Sequence, residues 1–261
     1  MPALCQPSDS PAPAGSAQAA ANEDLTGWWV SYVNEDWRWR MVTAPKDDLA
    51  SVPLNDAGVR AADTWDWKKD QAAGQQCKAY GAAALMRMPT RLHISWEDGN
   101  TLKIETDAGR QVRRLLFGGR TYGAGNPHTL QGVSVARWEP TGVPASGLAI
   151  TTIPPGPPSY SLEAVTTGMS AGYLRTNGVP YSEDAVLTEY YDIFSYKHQG
   201  WLLVTSQVDD PRYLLQPFIT TSQFKREADG SRWHPRPCEI IPPTRAYRPL
   251  PPSGYLPPGT H

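Results

Sequence analysis

The residues best able to do chemistry sit in segments where apolar and polar side chains alternate. Between 91 and 106, Leu92, Ile94 and Trp96 alternate with His93, Ser95 and Glu97. Leu102 and Ile104 resume the pattern after Asp98-Gly99-Asn100. A three-residue loop at 98–100 pairs Trp96 with Leu102 and Ile94 with Ile104, keeps one apolar face, and sets His93 opposite Glu105. A second three-residue loop at 107–109 places Gln111 beside Glu105. A carboxylate that orients an imidazole suits general acid–base catalysis. The same row also describes a solvated sheet face with a weak ion pair. The segment Glu189-Tyr190-Tyr191-Asp192 offers a second catalytic candidate. Alternation puts Tyr190 and Asp192 on one face, where a tyrosine beside a carboxylate can donate to a developing oxyanion. A satisfied structural hydrogen bond is the plainer reading of that pair.

A third constellation suits binding: Trp28, Trp29, Trp37, Arg38, Trp39 and Arg40. Taken as an extended segment, 37–40 turns Trp37 and Trp39 to one face and Arg38 and Arg40 to the other. Indoles stack on sugars or flat apolar ligands, and arginine grips carboxylates. Core packing with arginine stems lying on indoles accounts for the same residues. The remaining histidines form no HxH or HExxH pair, and no CxxC, GxSxG, Walker or GxGxxG pattern stands in a suitable context. The residues therefore call for no metal and no cofactor, and hydrolase, kinase and dinucleotide readings fall.

The elements that must position these groups are mostly strands. Gly27 to Val33 reads as the first strand, and 91–97, 101–106 and 110–117 as an antiparallel meander. Further strands are expected near 133–139, 147–152, 161–167, 186–195, 200–208 and 217–226. Asn55 can cap a helix over DAGVRAADTW, with Val59, Ala62 and Trp65 on one face. The Ala-rich stretch 79–88 is a second short helix, stopped by Pro89. Many short strands with few helices predict a mainly all-β domain over 24–238, an antiparallel β-barrel or sandwich with one or two short helices. Residues 1–23 read as a disordered tail without the apolar core of a signal peptide, although Ala17-Gln18-Ala19-Ala20 resembles a cleavage site. Residues 239–261 form a Pro-rich tail, extended by the fixed φ of proline.

Composition narrows the classes. The 261 residues carry a formal charge of −2, which excludes a basic nucleic-acid footprint. No apolar run reaches membrane-span length. The 10 Trp and 12 Tyr outnumber 4 Phe, a bias toward aromatics with a polar tip, found where apolar surface meets water or a ligand. Of three cysteines, Cys5 lies in the tail, while Cys77 and Cys238 bracket the domain. These two form either a disulfide or two separate thiols.

Several blocks resemble a family of uncharacterised, usually exported bacterial proteins. They are the run from Cys77 to Arg113, SVARWE at 134–139, AGYLRTNGVPYSEDAVLTEYYD at 171–192, and DDPRYLLQPF at 209–218. The resemblance implies a β-rich, lipocalin-like fold, a periplasmic or secreted location and a Cys77–Cys238 disulfide. It implies no activity. The chain departs from the family pattern in lacking its leader and in an insertion around 141–160. Two functions remain in competition. One is a cofactor-free isomerase or lyase acting through His93, Glu105, Tyr190 and Asp192. The other is a non-catalytic or carbohydrate-binding protein holding an apolar or amphipathic small molecule with Trp29, Trp37, Arg38, Trp39 and Gln111. The residues lining the main concavity decide between them.

Overall fold

The computed structural model describes residues 15–21, 23–119, 128–140 and 160–243. The expected strand at 147–152, Cys5 and most of both tails lie outside these residues. Nine strands close into a barrel: β1 (Gly27–Tyr32), β2 (Arg91–Asp98), β3 (Thr101–Thr106), β4 (Val112–Leu116), β5 (Val133–Pro140), β6 (Tyr160–Thr167), β9 (Val186–Tyr196), β10 (Gln199–Asp209) and β11 (Phe218–Glu227). A separate two-stranded sheet joins β7 (Gly172–Tyr173) to β8 (Pro180–Tyr181). Around the ring the order is β1-β11-β10-β9-β6-β5-β4-β3-β2. A closed ring with an odd number of strands cannot alternate direction throughout. One neighbouring pair must be parallel, and that pair is β4 with β5. The expectation of an antiparallel barrel therefore holds except at this joint.

Alternation along each strand sends one set of side chains inward. Leu92, Ile94, Leu102, Ile104, Leu115, Leu162, Leu202, Val204 and Phe224 pack there with Trp29, all essentially inaccessible. The meander forms as expected, with Ile94 opposite Ile104 and Trp96 opposite Leu102. Its first turn differs in detail. The loop is Gly99-Asn100, Asp98 pairs with Thr101, and a bulge between Trp96 and Asp98 restores the register. Asp98 fixes this turn by accepting hydrogen bonds from the Asn100 backbone N–H (2.7 Å) and the Thr101 hydroxyl (3.1 Å).

One group among the apolar side chains is charged. Arg113 enters the barrel on β4 and meets Glu189 on β9, with Nη2 2.6 Å and Nη1 3.1 Å from the two carboxylate oxygens. Tyr191, Ser134 and Thr166 complete the cluster, and neither side chain of the ion pair reaches solvent. Burial alone opposes the charge on Arg113, but Glu189 and Tyr191 outweigh it and hold its pKa above the ordinary value. The tyrosine hydroxyl is pushed up by its burial and by the Glu189 charge, so it stays a neutral donor.

Short helices gather at one end: α1 (Trp37–Arg40), α2 (Asp56–Asp63), α3 (Trp67–Ala72), a 3-10 turn (Gln76–Tyr80) and α4 (Ala82–Leu85). The Asn55 side chain caps α2 by accepting from Gly58 N (2.9 Å). That helix buries Gly58 and Ala62 and leaves Val59 at the surface. Helix α3 was not foreseen; Asp66 starts it by accepting from Lys68 N at 3.0 Å. Residues 37–40 form a helical turn rather than the expected extended segment. Asp36 takes φ 52, and the Met41 N–H closes on the Trp37 carbonyl at 2.7 Å. Period-two sharing of faces therefore fails there. At the other end, part of the expected N-terminal tail is ordered against the barrel. Ala17 N donates to the Asn100 side chain (2.8 Å), and Trp138 Nε1 donates to the Ala17 carbonyl (3.1 Å).

Cys77 and Cys238 form a disulfide with Cα atoms 5.1 Å apart. It ties the 3-10 turn to the strap that follows β11. Thiol counting on unfolded, unreduced protein is expected to find one free thiol, that of Cys5. Three free thiols would contradict the bond.

Candidate anion-binding site

The helical end gathers arginines that the barrel cannot hold. Arg40 closes α1, Arg87 follows α4, and Arg175 lies in the tight turn after β7. Gly178 is essential to that turn. Its φ is +82°, and a Cβ there would come within 2.1 Å of the Trp65 ring. Asn177 moors the turn by donating to the carbonyls of Pro45 (2.9 Å) and Asp48 (3.0 Å). All three arginines are buried.

Their hydrogen bonds are conspicuously incomplete. Arg40 donates from Nε to the Arg87 carbonyl (2.8 Å) and from Nη1 to Glu35 (2.6 Å), and its Nη2 meets no partner among the described residues. Arg87 donates from Nη2 to Asp36 (2.8 Å), and its Nη1 is unmet. Arg175 donates from Nη1 to the Ala50 carbonyl (2.7 Å), and both Nε and Nη2 are unmet. The indole Nε1 of Trp39 is likewise buried and unmet. Folded proteins satisfy nearly all such groups, because each buried donor left unpaired costs about 1–3 kcal/mol and charged groups cost more. Four guanidinium nitrogens and an indole nitrogen from residues around one cleft are thus buried without a protein partner among the described residues.

That cleft is lined by Trp39, Arg40, Arg87 and Arg175 on its polar side and by Ala84, Met88 and Leu174 on its apolar side. Its enclosed room is small, about that of one water, and the rest of its volume is open to solvent. Trp39 is held as a flat wall between the guanidiniums of Arg38 and Arg175, each 4.4 Å from its ring. Burial lowers the pKa values of Arg40 and Arg175 to about 10, and the neighbouring charge of Arg87 adds to both shifts. Both remain charged at neutral pH.

The sequence-selected residues fare unequally. Trp39 lines the cleft, and Arg38 supports it from behind through an ion pair with Asp48. Trp37, on the same turn, points to solvent at 62% exposure. Trp29 belongs to the barrel core, its Nε1 donating to the Leu25 carbonyl (3.0 Å). Gln111 does not sit beside Glu105. The turn is one residue longer than expected, Thr106 N bonds to the Gln111 carbonyl, and Val112 takes the place opposite Glu105. Gln111 instead reaches the disulfide, with its Nε2 3.4 Å from Cys238 Sγ.

His93 and Glu105 do face each other, at 3.0 Å, as the register required. They lie on the outside of the barrel with side chains 29% and 30% exposed, and Lys103 shares the carboxylate at 3.1 Å. Burial of Glu105 is outweighed by its hydrogen bonds to Lys103 and His93, which hold its pKa below the ordinary carboxylate range. His93 stacks on Trp28 with ring centroids 4.0 Å apart, and it borders neither of the clefts at the helical end. Exposed pairs of this kind are worth up to about 1 kcal/mol. His93→Ala is therefore expected to change stability by no more than about 1 kcal/mol in denaturant titration and to leave ligand binding unaltered. On β9, Tyr190 and Asp192 also point outward. Tyr190 donates to Glu163 (3.1 Å), while Asp192 lies near Glu23, whose carboxyl is pushed up by burial and by the Asp192 charge. The alternation was read correctly, but the buried tyrosine–carboxylate pair is Tyr191 with Glu189.

Sequence reading grouped Arg40 with the tryptophans without choosing it to hold the ligand, and it missed Arg87 and Arg175. Their signal was a lone charge within an apolar stretch, ALMRM and GYLRT, where a buried arginine needs a partner. Among the described residues no group of three potential metal ligands gathers, and no helix is long and apolar enough to cross a membrane. No family model, curated protein or solved structure matches the chain.

Proposed function

We propose that this protein binds a small amphipathic molecule through an oxyanion group seated on Arg40, Arg87 and Arg175. The observation that carries the reading is the convergence of unpaired, buried guanidinium N–H groups on one cleft with an apolar far wall. Arginine forks match the oxygens of carboxylate, sulfate or phosphate, and such charge-assisted bonds are about twice as strong as neutral ones. Ala84, Met88 and Leu174 would receive the ligand's apolar part. The barrel interior is filled by side chains, so this end carries the recognition. A non-catalytic binder accords better with this site than an isomerase or lyase. The catalytic candidates lie outside it, and Arg40 and Arg175, which line it, retain their protons at neutral pH. The disulfide supports an exported, oxidising location for such a binder, as the resemblance to exported proteins does.

Calorimetric titration with acetate, sulfate and phosphate tests the reading. At least one is expected to bind saturably and to raise the melting temperature by mass action. Absence of binding by all three contradicts it. Affinity is expected to stay level from near-neutral pH to about 9, then fall as pH rises through about 10, because deprotonation of Arg40 and Arg175 removes the positive charge that holds the anion. Bound anion favours the charged arginines, so the liganded protein should lose this charge at higher pH than the free protein. Repeating the calorimetry across that range checks both statements.

A further inference from the structure

We infer that the barrel mouth opposite the helices is a receptor for a short uncharged peptide with a small central side chain, occupied in this structure by residues 16–18 of the chain itself. The mouth is aromatic. Phe117 packs between Trp96 and Trp138, with ring centroids 5.5 and 5.8 Å away. Trp96, Trp138 and Ile193 form the half-buried edge of the core there. Ala17 sets its methyl against the same core, and its main chain is bound on both sides. Its N–H donates to Asn100 Oδ1 (2.8 Å), and its carbonyl accepts from Trp138 Nε1 (3.1 Å). Gln18 N donates to the Gly99 carbonyl (3.0 Å), and Ser16 is buried with its hydroxyl accepting from Ala19 N (3.1 Å). Each of these partners is a neutral group. The carboxylates beside them are committed to the backbone, Asp98 to Asn100 N (2.7 Å) and Glu23 to Ile193 N (3.2 Å). The mouth therefore reads a main-chain donor and acceptor with a methyl between them, the chemistry of a peptide rather than of an ion.

The occupying segment is separable from the barrel. From Gly15 to Ala21 it brings no aromatic or branched side chain, and Ala19 and Ala20 are exposed. The chain is anchored afresh directly after it. Glu23 holds Ile193 N, Arg226 Nη2 donates to the Asp24 carbonyl (2.8 Å), and Leu25 is buried with its carbonyl on Trp29 Nε1. Residues 15–21 can leave while β1 keeps its place. Their departure opens Trp138 Nε1, Asn100 Oδ1 and the Gly99 carbonyl beside three aromatic rings, and groups so placed favour a replacement that restores their bonds. The segment is thus a tethered competitor, whose effective concentration on a short linker is on the order of millimolar.

The test is NMR on the full, isotopically labelled chain, titrated with unlabelled Gly-Ser-Ala-Gln-Ala-Ala-Ala, the sequence of residues 15–21, blocked at both ends to remove its charges. Displacement should carry the Ala17 amide signal saturably toward its unfolded position. Trp138 Nε1–H, which exchanges one carbonyl for another, should stay close to its starting shift. In the wild-type chain the midpoint should lie on the order of millimolar peptide, set by the tether. In Ala17→Glu, whose own segment brings a charge to a neutral mouth, the midpoint read from the Trp138 and Trp96 indole signals should fall about tenfold or more. A peptide carrying the same change should not bind either protein. The wild-type titration decides the matter even if the variant does not fold. An Ala17 amide unmoved at about ten times the tether's effective concentration overturns the proposal, and so does equal binding of the peptide with glutamate at its centre. Neither result bears on the arginine cleft, which lies at the other end of the barrel.

Discussion

Arg175→Met is expected to weaken carboxylate binding about a hundredfold while leaving the melting temperature of the free protein unchanged or higher. The two halves have one cause. Among the described residues no carboxylate lies at ion-pair distance from this buried guanidinium and two of its nitrogens are unbonded; burial and Arg87 disfavour its charge, and Asp36 and Asp48 offset this only in part. Such a group detracts from stability until its acceptor arrives. Methionine keeps an apolar stem against Trp39 and Phe218, which the guanidinium now overlies at 4.4 and 6.0 Å. The lost bond to the Ala50 carbonyl is replaced by water, because Ala50 is exposed. Two charge-assisted bonds at about 1.5 kcal/mol each correspond to the hundredfold loss of affinity. A structural arginine would behave in the opposite way, with lower stability and no binding phenotype. Calorimetry and thermal melts on the same preparation separate the two.

Glu189→Ala is expected to destabilise the protein by about 3–5 kcal/mol, the largest effect of any single substitution considered. The ion pair with Arg113 lies inside the barrel with neither side chain accessible. Removing the carboxylate strands the guanidinium, because Tyr191, Ser134 and Thr166 can share its hydrogen bonds but not neutralise its charge. In the double variant Arg113→Met with Glu189→Leu much of the loss should return, since a well-packed apolar pair often equals or exceeds a buried ion pair in stability. Denaturant titration of the three proteins measures both quantities. Equal losses in the single and double variants would show that the pair acts through something other than mutual neutralisation.

Strand positions were largely legible because a half-buried strand writes its period directly into the sequence. Ile94–Ile104 and His93–Glu105 were placed in register from alternation alone, and the bulge after Trp96 preserved that register despite a different loop. Register failed at Gln111, where Arg110 at φ 51 and Gly109 at φ 75 extend the turn by one residue. No hydrophobic pattern marks that difference. The parallel β4–β5 joint was also invisible, since it follows from the number of strands in the closed ring rather than from any local signal.

The site was only half legible. Trp39 stood out by type, but the extended reading of 37–40 chose Trp37 and Arg38 beside it to hold the ligand and left Arg40 out. The helical turn, set by the left-handed Asp36, sends Trp37 to solvent and Arg40 into the cleft. Arg87 and Arg175 come from segments 47 and 135 residues away from Arg40 in the chain, so only the fold reveals that three buried cations converge. The His93–Glu105 pair was the more visible candidate because pairs on adjacent strands are local. Visibility in a sequence and placement in a cleft are independent properties.

The central claim, that Arg40, Arg87 and Arg175 form an anion site, is tested most directly by the side-chain Nε–Hε resonances of the arginines during titration with acetate. The Arg175 Nε–H has no partner among the described residues. Its signal should shift saturably, with the same dissociation constant that calorimetry gives, while that of Arg113, whose Nε is also unbonded but whose guanidinium is sealed inside the barrel on Glu189, stays fixed. An unmoved Arg175 signal, or one that drifts linearly together with solvent-exposed arginines such as Arg236, would contradict the account.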